Sequence, residues 1–182
     1  MEKIRRWLKD EKGFTLIEMA LVLIIIGIIL GAIVKGKDIM KTAQQKKVYT
    51  SYINAWNLAY MTHYDRTGNS FTLDDTTAQV AAQALKAGLT PPPATYEYQD
   101  SAGTNRTMTI TFSSDATNNY NYMHIWDIPS ELGLAMDKIV DGVESATAGD
   151  FLAASVTNTV SPVVVWSNTG TDLRDARWKL QF

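Results

Sequence analysis

An almost uninterrupted run of apolar residues, from Phe14 to Val34, constrains the fold of this chain more than any other feature. Only Thr15, Glu18 and two glycines interrupt it. The run is about 20 residues long, and a helix of that length matches a hydrocarbon core of roughly 30 Å. A buried strand would be much shorter, and the core helix of a soluble protein would carry a polar face. The run therefore predicts a membrane-inserted helix.

Glu18 is the one ionisable side chain in this run. A charged side chain inside a membrane is costly and implies a partner. One explanation is that Glu18 lies near the helix N-terminus, where the helix dipole favours an anion. Alternatively, cleavage after Gly13 would supply a cationic partner, because the new amine of Phe14 would lie one helical turn from Glu18. The same amine would also be available to Glu18 of a neighbouring copy.

The segment Lys12-Gly13-Phe14-Thr15-Leu16-Ile17-Glu18, followed by the apolar run, resembles the prepilin signal of type IV pilins and type II secretion pseudopilins. The resemblance implies cleavage between Gly13 and Phe14 by a membrane prepilin peptidase. It also implies N-methylation of Phe14 and assembly through docking of Glu18 against Phe14 of a neighbouring subunit. A protein of this kind is a structural subunit, so we expect no catalytic residues and no enzyme activity.

Basic residues concentrate before the apolar run, and by the positive-inside rule this leader stays cytoplasmic while the C-terminal part is exported. An ordinary secretory signal has a shorter apolar core that is followed by its small-residue cleavage site. Here the small residue precedes the core. We therefore expect the chain in a bacterial inner membrane before assembly, and then in a pilus or a periplasmic or extracellular filament. The basic leader residues are Lys3, Arg5, Arg6, Lys9 and Lys12.

The helix is predicted to continue well beyond the membrane. No proline or glycine occurs from Met40 to Tyr64, and aromatic residues recur at helical spacing. Such an aromatic stripe predicts a helix face covered by a sheet rather than an electron-transfer path. The sequence Thr67-Gly68-Asn69-Ser70 predicts the end of the helix.

The rest of the sequence predicts an α+β domain, in which a long helix is followed by an antiparallel sheet with helical insertions. This is a type IV pilin-like fold, with a membrane-spanning half and an amphipathic half of one long N-terminal helix packed on the sheet. The predicted regions are a leader (1–13), a transmembrane and assembly helix (14–34), its amphipathic continuation (35–66) and a globular domain (67–182). The further predicted elements are a short helix within 71–90 that Asp74 caps, strands at 95–99, 106–112, 120–128, 151–156, 163–166 and 173–180, and a helix from 129 to about 140.

Gly27 and Gly31 form a small-xxx-small pair in the apolar helix. Such pairs let helices approach closely, so these residues are candidates for helix packing. The alternative is that both glycines are simply tolerated in lipid.

Four acidic residues surround a glycine-containing loop, and their oxygens are the ligands that calcium prefers. The spacing differs from that of an EF-hand, and a solvated acidic loop is the alternative. Some major pseudopilins, which the N-terminal segment resembles, use a C-terminal calcium site. Calcium is the one cofactor that the sequence suggests, and its candidate ligands are Asp137, Asp141, Glu144 and Asp150.

Other features exclude function classes. The chain has a formal net charge of −2, which gives no general attraction to nucleic acid. Arg174, Arg177 and Lys179 predict a solvated edge strand rather than a nucleic-acid site. Neither His63 nor His124 lies in a recognisable catalytic order with a nucleophile and an acid. The sequence has no cysteine, which excludes thiol catalysis and departs from the many type IV pilins with a C-terminal disulfide.

These observations predict a structural subunit of a type IV pilus or pilus-like filament that polymerises through its N-terminal helix. A type II secretion pseudopilin, major or minor, is the nearest alternative, and a membrane-anchored periplasmic binding module is a more distant one. The expected partners are copies of the chain or other pilin-like subunits, the prepilin peptidase, an inner-membrane assembly platform and membrane lipid.

Overall fold

The computed structural model describes residues 14–71, 76–115, 119–145, 147–154, 166 and 172–180. The chain forms two compact units, Met1–Ala43 and Gln44–Phe182. In chain order the elements are α1 (Leu16–Val48), a π-helical turn (Tyr49–Ile53), α2 (Asn54–Thr67), α3 (Thr77–Lys86), β1 (Thr95–Gln99), β2 (Asn105–Asp115), β3 (Tyr120–Pro129), α4 (Ser130–Asp141), β4 (Phe151–Ala154) and β5 (Leu173–Lys179).

Helix α2 ends where the sequence predicts. Gly68 adopts the left-handed conformation, with φ of 71°, and its N–H donates to the carbonyl of Tyr64. The π-helical turn between α1 and α2 is a feature that the sequence analysis did not predict. There the hydroxyl groups of Thr50 and Ser51 donate to the carbonyl oxygens of Lys46 and Lys47. Such hydroxyl contacts satisfy carbonyl groups at an irregular turn of a helix.

The five strands form one antiparallel sheet in the order β1-β2-β3-β5-β4. The last strand in the sequence therefore lies between β3 and β4, and the prediction of a solvated edge strand over residues 173–180 was wrong. A pattern of charges does not reveal that a later strand is inserted between two earlier ones. We predicted that Asp74 caps a helix and that residues 163–165 form most of a strand, but these residues lie outside the described part of the chain. Helix α3 is capped by Thr76 together with Gln79.

The helix residues that pack on the sheet belong to the second unit. Tyr52, Trp56 and Tyr60 are fully buried, which confirms that the aromatic stripe packs in the core. The Tyr60 ring stacks on Phe112 of β2 at 5.4 Å, and the Tyr52 hydroxyl donates to the carbonyl of Met108. Each of these aromatic side chains buries apolar surface and also forms a hydrogen bond or packs on another ring. These contacts hold the helix on the sheet.

Replacing Trp56 with alanine is expected to lower the free energy of unfolding by about 3–5 kcal/mol, because it leaves a large cavity. It also removes the bond from Trp56 Nε1 to the carbonyl of Pro93, at 3.0 Å. Leu58 is the matched control on the same helix, since it is 63% exposed. Leu58→Ala should change stability by less than about 0.5 kcal/mol. Urea unfolding of the full chain in detergent measures both, and equal losses would contradict the assignment of the buried face.

Candidate functional site

The apolar segment at the start of α1 is exposed along its whole length. Phe14 is 78% exposed and Leu16 is 93% exposed, and the large apolar residues that follow are also exposed. Within the described part of the chain, one helical run, Leu16–Thr67, is long and apolar enough to cross a membrane. A surface of this kind is stable in lipid or against other apolar helices, and it is the candidate functional site of the first unit.

Glu18 closes the N-terminus of α1 as part of a capping box. The backbone N–H and the hydroxyl of Thr15 both donate to Glu18 Oε2, each at 2.8 Å. The N–H of Glu18 donates in return to Thr15 Oγ1, at 3.3 Å. Residues Thr15-Leu16-Ile17-Glu18 fit the T-x-x-E pattern of this motif, in which two otherwise unpaired helix donors are satisfied.

The sequence analysis did not predict a role for Thr15, although the T-x-x-E pattern of a capping box is visible in the sequence. The helix begins at Leu16, so Phe14 precedes the first helical turn. The capping box occupies Oε2 of Glu18 and holds its carboxylate against Thr15 at the N-terminus of the helix. Cleavage after Gly13 and the role of Glu18 in assembly stay predictions, and Gly13 lies outside the described residues.

Gly27 and Gly31 lie on the open surface of α1. A side-chain carbon added at either position would meet no atom within 4 Å in the described structure. Packing among the described residues therefore does not explain the two glycines. Their role in contacts between helices of different copies stays a prediction.

The four candidate calcium ligands mostly make other contacts. Asp141 accepts the backbone N–H groups of Asp150 and Phe151, and Glu144 forms an ion pair with Lys138 at 3.0 Å. Asp137 accepts the N–H of Ser145 at 2.7 Å. Among the residues that the structure describes, no three His, Cys, Asp or Glu side chains are grouped so as to hold a metal ion. The carboxylates of Asp137 and Asp141 instead hold the loop after α4, and calcium binding stays a prediction.

Trp166 is a second residue that the sequence did not single out. Its indole N–H donates to Asp137 Oδ2 at 3.2 Å, and its ring stacks on Phe151. The same ring lies so close to the backbone of Gly133 that a side-chain carbon added there would overlap it. Gly133 therefore provides the space for Trp166, which in turn covers the buried carboxyl of Asp137.

Asp137 is expected to make stability fall as the pH rises through about 6. Burial, together with the neighbouring Asp141, raises the pKa of Asp137 from 3.8 to about 6. The folded state therefore binds this proton more tightly than the unfolded state does. The resulting stabilisation is complete below the unfolded pKa and is lost as the pH rises through the folded value, a change on the order of 2 kcal/mol.

Asp137→Asn should flatten this dependence, because an amide keeps an oxygen for Ser145 and never ionises. Thermal unfolding of the full chain in detergent between pH 4 and 8 measures the slope, with a chelator present. The control is Glu144→Gln, which alters an exposed acid in the same loop and should leave the slope unchanged. An unchanged slope for Asp137→Asn would contradict the assignment.

The outer face of the sheet holds a buried polar cluster. His124 stacks on Trp126 at 4.0 Å, and its Nε2 lies 3.6 Å from Asp175 Oδ2. Arg177 is buried and lies over the ring of Tyr122 at 4.5 Å. His124 thus lies on one face of the sheet, as its position in a strand predicts. The position of Arg177 is a consequence of β5 lying inside the sheet, where its charge packs against an aromatic face.

Comparison with known protein families identifies a motif in the N-terminal segment. The family model of the prokaryotic N-terminal methylation motif matches residues 8–34. No curated protein and no solved structure matches the chain. The matched residues include the capping box and the whole exposed apolar run, and the second unit contributes a five-stranded antiparallel sheet packed on a helix. The chain therefore carries the signal of type IV pilins and pseudopilins at the head of a pilin-like α+β architecture.

Proposed function

We propose that this chain is the precursor of a structural subunit of a type IV pilus or pilus-like filament. The observation that carries the proposal is the coincidence of the methylation motif with an apolar helix that is exposed along its length. That surface needs lipid before assembly and the helices of other copies after it. The basic leader supports an orientation with residues 1–13 in the cytoplasm and the sheet domain outside.

Processing precedes assembly in this proposal. A prepilin peptidase cleaves between Gly13 and Phe14, and the new amine of Phe14 is methylated. The amine supplies a cation next to Glu18, whose Oε2 is already directed towards the helix N-terminus by Thr15. Within the filament this amine and the carboxylate of a neighbouring copy offset each other's charge.

The mass and the N-terminal chemistry of the chain purified from its cells test this proposal. The expected result is a mature chain that begins at N-methylated Phe14. An uncleaved N-terminus on chains recovered from the membrane would refute it and would favour a membrane-anchored binding module instead.

A secretion pseudopilin is the second candidate. It is favoured by the absence of cysteine, which departs from the many type IV pilins with a C-terminal disulfide. The two candidates predict different assemblies, because a pilus extends from the cell surface and a pseudopilus does not normally do so. Immunogold imaging of intact cells for long fibres containing this chain separates them.

A further inference from the structure

An open groove of about 380 Å³ lies between the C-terminal ends of α2 and α3 in the second unit. Its volume is within the range of small-molecule binding sites. Hydroxyl, amide, imidazole and ammonium groups line it, and none of the described residues that line it is acidic. The polar lining residues are His63, Thr67, Asn69, Ser70, Gln83 and Lys86.

Lys86 is the one cation among the described lining residues, and it forms no ion pair with a described residue. A helix C-terminus attracts cations because its last carbonyl groups are unpaired. At the end of α3 these groups already have partners. Backbone N–H groups pair with the carbonyls of residues 83–85, and Arg66 donates to the carbonyls of Ala87 and Gly88. The end of α3 is therefore capped without the ammonium of Lys86.

His63 is the buried member of the lining, while the others are half-buried or exposed. It is 7% exposed and stacks on Phe71 at 4.4 Å, and burial lowers the pKa of its imidazole below the ordinary value. A neutral imidazole has one donor and one acceptor nitrogen. Nδ1 is buried and has no hydrogen-bond partner in the described structure. Because a buried N–H without an acceptor is costly, the proton belongs on Nε2, which can donate to a ligand.

We propose that the groove binds a sugar acid, a small polyhydroxylated carboxylate whose anionic group pairs with Lys86. One ammonium matches one carboxylate, and the pair is strengthened because its hydrogen bonds carry charge. The hydroxyl of Ser70 and the amides of Asn69 and Gln83 suit hydroxyl groups of the ligand, since such side chains both donate and accept.

Neighbouring charges leave this preference in place. Asp65 and Arg66 are adjacent at the end of α2 and do not line the groove, so their opposite charges largely cancel there. Lys86 is then the charge nearest to a bound ligand. The inference goes beyond the proposed function, because the site lies within the second unit and does not depend on filament assembly.

Titration of galacturonate into the full chain in detergent tests the site. The chain has only two histidines, so NMR of the imidazole groups reports where the ligand binds. The His63 resonances should shift with a dissociation constant on the order of 1 mM, as an open groove allows, and those of His124 should not. A shift of His124 without a shift of His63, or no saturable binding up to about 20 mM, would overturn the site.

Lys86→Gln should weaken galacturonate binding by at least about tenfold, because it removes the charged partner of the carboxylate. Lys86 is exposed, so the fold should not change. The matched control is Lys46→Gln, which makes the same change of charge on α1 outside the groove and should leave the affinity unaltered. Equal affinities of the Lys86→Gln chain and the wild type would refute the role of the ammonium.

Two simpler compounds test the class of ligand. Galactose lacks the carboxylate and acetate lacks the hydroxyl groups, so each should bind at least about tenfold more weakly than galacturonate. If galactose binds as tightly, the groove does not select an anion. If acetate binds as tightly, the groove does not recognise the hydroxyl groups. Either result would overturn the assignment to a sugar acid.

The acidic residues that precede α3 in the sequence, Asp74 and Asp75, lie outside the described residues. Asp74→Asn combined with Asp75→Asn removes only negative charge, so the affinity for galacturonate should stay the same or rise. A loss of affinity would show that an acidic group holds the ligand, which would overturn the assignment of the groove to an anion. All these measurements use the unassembled chain, so their failure is distinct from a failure to form filaments.

Discussion

Gly13→Phe is expected to leave the leader on the chain and to stop filament assembly altogether. If a peptidase cleaves between residues 13 and 14, the residue before the scissile bond is the small Gly13, and we expect a phenylalanine ring to be too large for the same space. Without cleavage no amine forms at Phe14, so the exposed helix of the precursor keeps a charged leader that resists burial among other helices. Mass spectrometry of the membrane fraction measures the retained leader.

Gly13→Ala is the matched control, since alanine adds one small methyl group and should still be processed. A chain of mature mass from Gly13→Phe would contradict the predicted cleavage site. Retention of the leader with normal filaments would contradict the link between cleavage and assembly. Gly27→Ala changes a glycine within the helix and should leave cleavage unaffected.

Glu18→Ala is expected to lower the yield of filaments by at least about tenfold, because the amine of Phe14 would be buried without its partner. The substitution also removes the capping box with Thr15. Glu18→Gln separates these two effects. A glutamine at this helix position can still accept the N–H of Thr15, but it carries no charge.

If charge pairing is the essential role, Glu18→Gln should assemble as poorly as Glu18→Ala, while Thr15→Ala should assemble far better than either. Electron microscopy of sheared or pelleted filaments measures the yield, and immunoblotting of membranes confirms equal amounts of each chain. Normal yield from Glu18→Gln would sink the charge-pair explanation and leave helix capping as the role of Glu18.

Much of the fold was predictable from local patterns. The alternating residues of β1 and β3, the stop at Gly68 and the helix after Pro129 follow from periodicity and turn chemistry, and the structure places them close to the predicted bounds. The capping box of Thr15 and Glu18 was equally readable, because the motif depends on residues three positions apart. Patterns of this kind depend only on near neighbours along the chain.

Other features depend on distant residues. Nothing near Arg177 in the sequence shows that β5 enters the sheet between β3 and β4, so its burial over Tyr122 could not be predicted. His63 looks like a surface residue beside Asp65 and Arg66, but it is buried and stacks on Phe71. The raised pKa of Asp137 similarly depends on burial, to which Trp166 contributes from another part of the chain.

The sequence by itself determined the apolar run, its single carboxylate and the order of the elements, because each follows from composition and from spacing along the chain. Tertiary structure decided which strands are neighbours and which charges are buried. The physical reason is that burial and pairing depend on contacts between residues far apart in the sequence. Those contacts exist only after the helix and the sheet of the second unit have packed together.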